Sequence, residues 1–73
     1  MDPQAAWQRL IDAYASRNWI EATAAAEDLL AWLRNGGFPP QTLSSPSMDD
    51  AWNQMLAEAA CRFVIYECGR QRT

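Results

Sequence analysis

The stretch Trp32-Leu33-Arg34-Asn35-Gly36-Gly37-Phe38-Pro39-Pro40-Gln41 (WLRNGGFPPQ, residues 32–41) turns from helix-forming to helix-breaking in its middle. Asn35-Gly36 stops a helix, because glycine accepts the left-handed backbone that closes helix ends. Pro39-Pro40 then prevents the helix from resuming. A phosphate-cradling loop would place its glycines ahead of a helix N-terminus, with a lysine and a hydroxyl to follow. Here the glycines come after a helix, and the chain contains no lysine. A PxxP-type ligand needs spaced prolines on an extended stretch, whereas these two are adjacent. The stretch therefore reads as a structural stop, with Phe38 and Leu43 expected to pin the connection onto the core.

Upstream of the stop the periodicity predicts two helices. Asp2-Pro3 is a start signal, an N-cap acceptor followed by proline at the first helical position. Trp7, Leu10, Ile11 and Tyr14 then follow the i, i+3, i+4, i+7 pattern, giving a helix over about residues 3–16. "SRNW" (residues 16–19) breaks that phase. Trp19, Ala22, Ala26, Leu29, Leu30 and Leu33 form a second apolar stripe, on a helix over about residues 19–35. Its alanine-rich middle is narrow, so a neighbour can approach closely there. Trp32 lies about 120° off this stripe. The fold-back of Phe38 and the prolines is expected to cover it, the other reading being an exposed aromatic anchor.

After a connection over about residues 36–46, Ser47 and Asp50 form an S-x-x-D box that opens a third helix, over about residues 47–68. Cys68-Gly69 is read as its end, with a frayed tail beyond. Met48, Trp52, Met55, Leu56, Ala59, Phe63 and Tyr66 make its main stripe, assigned to the core. Ala57, Cys61, Val64 and Cys68 line the nearly opposite face, flanked by Ile65. This second apolar face exceeds what one core requires, so Ala57, Cys61, Val64, Ile65 and Cys68 are predicted to form an interface, with Trp32 as an additional candidate. The fold class expected is all-α: a small three-helix domain, an antiparallel hairpin plus a third helix after a Gly/Pro-containing connection.

The chain is a single domain of 73 residues, 49% hydrophobic, with four tryptophans. A core of this size is near the lower limit of self-sufficiency, and such chains often complete it by association. Net charge is −3, and the six basic residues, all arginines, are scattered, leaving no electrostatic footprint for nucleic acid. The N-terminal residues lack the pattern of a signal peptide, and no segment approaches the roughly 18 apolar residues that span a bilayer. With only two cysteines, reduced thiols in a cytoplasm are expected. Arginine used to the exclusion of lysine points to a GC-rich, bacterial coding sequence.

Catalytic chemistry is sparse. Without histidine the chain lacks the commonest general base and metal ligand, and without lysine it cannot form a Schiff base. Cys61 and Cys68 share a helix face but lie roughly 10 Å apart along the axis, too far for one disulfide or one zinc site. They read as small buried hydrophobes, the functional alternative being a redox-sensitive contact between chains. Glu27 and Asp28 do not converge, and Asp49 and Asp50 sit where the helix dipole favours carboxylates. No catalytic, cofactor-binding or metal-ligating residues are assigned, and no enzyme is expected.

Trp7-x2-Leu10-Ile11-x2-Tyr14 resembles the first helix of a tetratricopeptide repeat, W-x2-L-G-x2-Y, and "RNWIEA" with Trp19 and Ala22 resembles the opening of its second. The resemblance covers residues 7–33. It departs at Ile11, where the family has glycine, and at Ala26, where it has a large aromatic. It implies an antiparallel helical hairpin and protein binding, and carries over no peptide-binding residues.

The functional expectation is a small protein–protein interaction module that forms a homodimer through its third helix or docks on a larger protein. The alternative is a small regulator or inhibitor, of phage or toxin–antitoxin type, acting on a larger macromolecule.

Overall fold

A computed structural model describes residues 1–71. The chain is all-α, with α1 spanning Pro3–Ala15, α2 Trp19–Arg34 and α3 Asp50–Gln71. The two ends of α1 follow from their residues. Asp2 caps its start by accepting from the Gln4 amide at 3.0 Å, and Pro3 occupies the first turn. Its end closes with the Asn18 amide on the Ala13 carbonyl and the Arg17 amide on the Tyr14 carbonyl, which puts Arg17 in the left-handed region at φ 59°.

Asn18 then caps α2 by accepting from the Glu21 amide. α2 runs back along α1, so that Arg9 pairs with Glu21 and, at 3.5 Å, with Asp28. Its far end repeats the closure seen in α1, here with glycine. The Gly36 amide donates to the Leu33 carbonyl and the Gly37 amide to the Trp32 carbonyl, with Gly36 at φ 86°. The stop predicted at Asn35-Gly36 is thus where the helix ends, by the mechanism expected of it.

α2 is the central element, and α1 and α3 both pack on it. Its residues Ala22, Ala25, Ala26 and Leu29 are fully buried, because small side chains let a neighbour approach closely on each side. Trp7 and Leu10 of α1 complete one side of the core. Ala57, Cys61, Val64 and Cys68 of α3 complete the other. α3 runs antiparallel to α2, and Tyr14 of α1 reaches Phe63 of α3 with ring centroids 5.9 Å apart.

The connection over residues 35–49 is held at three points. Pro40 is fully buried. Gln41 and Gln4 exchange two hydrogen bonds, Gln41 N to Gln4 Oε1 at 2.8 Å and Gln4 Nε2 to the Gln41 carbonyl at 3.1 Å. The Asn53 side chain, wholly buried on α3, takes two donors from Thr42. Phe38 and Leu43, expected to pin the connection, are 64% and 39% exposed, and Pro40 takes that place.

α3 starts later and ends later than its sequence signals suggest. Asp49, not Ser47, caps it by accepting from the Trp52 amide at 2.9 Å. The Ser47 hydroxyl turns instead to Gln41, so the predicted S-x-x-D box does not form. The helix carries on through Gly69 to Gln71, past the expected end at Cys68. Of the tail expected to fray, Arg70 and Gln71 are helical, while residues 72 and 73 lie outside the described residues.

Candidate interaction surface

The assignment of the two faces of α3 is the reverse of the one the sequence suggests. Ala57, Cys61 and Cys68 are fully buried and Val64 is 4% exposed, so the predicted interface is the core face. Ile65 is half-buried against that core. The physical reason lies in α2. Against its alanine-rich middle, a face of Ala57, Cys61 and Cys68 brings the helix axes close and leaves few voids. A face of tryptophan and phenylalanine would hold the helices apart. Asn53 lies on the same face, where the connection supplies its hydrogen bonds.

Of the large residues assigned to the core, Met48 and Leu56 are half-buried and the other four face water. Trp52, Met55, Phe63 and Tyr66 are 37%, 56%, 53% and 65% exposed. At about 100° per residue they span a stripe roughly 80° wide that includes Ala59 and lies nearly opposite Cys61. A shallow groove of about 600 Å³ runs along one flank, lined by Gln54, Met55, Glu58, Ala59 and Arg62 among others. Arg70 extends the polar border, its guanidinium 5.8 Å from the Tyr66 ring centre and 3.1 Å from the Glu67 carboxylate. The stripe is apolar in its centre and charged at its edge.

Trp32 is not an exposed anchor. Its indole Nε1 donates to the Phe38 carbonyl at 2.8 Å, and the two rings meet edge-on with centroids 5.7 Å apart. Gly37 lies beneath the indole, where a Cβ would overlap the ring. The ring, the turn and the glycine form one unit, as the fold-back reading anticipates.

Burial, with a smaller contribution from the Glu58 charge, pushes the Cys61 thiol up to about 11. Cys61 is therefore a neutral thiol at ordinary pH, and Cys68 is buried beside the same core. The cleft between α1 and the connection, lined by Gln4, Trp7, Gln8, Ile11 and Leu43 among others, contains no ionisable side chain. Among the described residues no helix is long and apolar enough to cross a membrane.

Trp52, Met55, Phe63 and Tyr66 were legible as one stripe, yet their exposure was not. The available signal was the pairing of two small-residue faces, α2 around Ala25 and α3 around Cys61. No protein-family model, curated protein or solved structure matches the chain.

Proposed function

We propose that the chain is a protein-interaction module whose working surface is the outer face of α3. One observation carries this reading: Trp52, Met55, Phe63 and Tyr66 lie on a single helix face and remain 37–65% exposed. Aromatic residues and methionine are the types enriched at protein interfaces, where they supply contact area at low conformational cost. The polar border of Glu58, Arg62 and Arg70 is the kind of rim that excludes water around such a centre. A catalytic role has no comparable support, since the one nucleophile with a shifted thiol, Cys61, is buried and held protonated.

The reading is tested with a photo-reactive phenylalanine analogue introduced at Tyr66 and, separately, at Asp12 on the water-facing side of α1. Crosslinking in cells to a defined protein, this chain included, from position 66 and not from position 12 is the expected result. Equal crosslinking from both positions, or none from position 66, would reject it.

A further inference from the structure

The spacing along the outer face of α3 is three, four, four, three: Trp52, Met55, Ala59, Phe63, Tyr66. This sequence of intervals reads the same from either end, with the smallest residue at its centre. We infer that the occupant of this face is a second copy of the chain, paired antiparallel about a twofold axis at Ala59. The inference rests on the reading of α3 as the working surface.

A twofold axis at Ala59 sets Trp52 level with the partner's Tyr66 and Met55 level with the partner's Phe63. At each level the two side chains lean to opposite sides of the seam, by about 20° and about 40°, so they pack beside one another rather than collide. Ala59 meets its own copy at the crossing point. Axis separation follows the size of the side chains at the crossing, so an alanine there permits an approach of about 8 Å.

The charges at the border are complementary under the same operation. Glu58 and Arg62 flank the stripe on one side, one residue below the axis and three above it. The twofold brings Glu58 to the partner's Arg62, and Arg62 to the partner's Glu58, an exchange that only an isologous pairing produces. A parallel pairing in register would put Glu58 and the partner's Arg62 on opposite sides of the seam, where they cannot pair. The groove beside Ala59, of which Glu58 forms a wall, is where the partner's Arg62 arrives.

The area suffices for a weak dimer. With about 150–250 Å² for each aromatic side chain, the exposed parts of Trp52, Phe63 and Tyr66 leave on the order of 300 Å² per copy. Met55, Ala59 and the flanking polar residues bring both copies together to about 1,200 Å², the lower end of specific interfaces. Association is therefore concentration-dependent in the micromolar range rather than obligate.

The test is sedimentation equilibrium across micromolar concentrations, combined with cysteine trapping. The wild-type chain should pass from monomer to dimer. Ala59→Cys should give a crosslinked dimer under mild oxidation, because the two introduced thiols meet at the axis. Met55→Cys alone should not, while a mixture of Met55→Cys and Phe63→Cys chains should form the mixed disulfide. Glu58→Arg should weaken association several-fold, and Glu58→Arg combined with Arg62→Glu should restore it. A wild-type chain that stays monomeric overturns self-pairing, whereas the photo-crosslinking from position 66 reports separately on the surface itself. A dimer in which Met55→Cys crosslinks to itself and Ala59→Cys with no preference over it overturns the antiparallel arrangement.

Discussion

The side-chain oxygen of Asn53 accepts two hydrogen bonds from Thr42, one from the backbone amide at 3.1 Å and one from the hydroxyl at 2.8 Å. Asn53 Nδ2 in turn donates to the Met48 carbonyl at 3.1 Å. A buried asparagine at the first turn of α3 thereby fixes both the connection and the rotation of the helix about its axis. Asn53→Leu would leave the Thr42 donors and the Met48 carbonyl unpaired, at a cost of about 1–3 kcal/mol. The denaturation midpoint should fall accordingly, and amide exchange at Thr42 should accelerate beyond the global change.

Two helix ends close by the same pair of hydrogen bonds but with different residues in the left-handed position. Gly36 occupies it at φ 86° and Arg17 at φ 59°. A Cβ is costly in that region, so the two substitutions have opposite signs. Gly36→Ala should destabilise by about 1 kcal/mol, and Arg17→Gly should stabilise by roughly 0.5–1 kcal/mol. Chemical denaturation of the two variants side by side checks both signs.

Gly37 answers to a different constraint, the Trp32 ring above it. Gly37→Ala should push the indole off the turn and break its bond to the Phe38 carbonyl, costing about 1–3 kcal/mol. The indole N–H resonance of Trp32 would report the displacement directly, since a hydrogen-bonded proton moves to the position of a solvated one.

Cys61 gives the fold a dependence on alkaline pH. Its thiol is raised from 9.0 to about 11 in the folded chain, so the folded state holds its proton more tightly than the unfolded state does. The associated stability is fully present below about pH 9 and is lost as pH rises through about 11. Unfolding free energy should fall over that window in the wild type, with a shallower slope in Cys61→Ala. At neutral pH both thiols should react with a disulfide reagent no faster than the chain opens.

Helix number, order and approximate extent were legible because the stop at Asn35-Gly36 and the stripes around Leu10 and Leu29 are local signals. The rotation of α3 was not, because both of its faces are apolar and helical periodicity alone does not choose between them. What decides it is the shape of α2. Ala22, Ala25 and Ala26 leave room for Ala57 and Cys61 at close approach, a property of two helices together and invisible in either alone. The Asn53–Thr42 tie is likewise a contact between segments, and only a polar residue in line with Ala57 and Cys61 could have signalled it.

Phe63 and Val64 are neighbours in sequence, about 100° apart around α3, and are 53% and 4% exposed. Every conclusion about the interaction surface depends on that rotation. Thermal unfolding of Phe63→Glu and Val64→Glu, followed by circular dichroism at a concentration where the chain is monomeric, tests it most directly. Phe63→Glu should keep its helical signal and a cooperative transition within about 8 °C of the wild type, having lost only the contact with Tyr14. Val64→Glu should lose the cooperative transition, because its carboxylate would be buried without a partner. A folded Val64→Glu beside an unfolded Phe63→Glu would contradict the account.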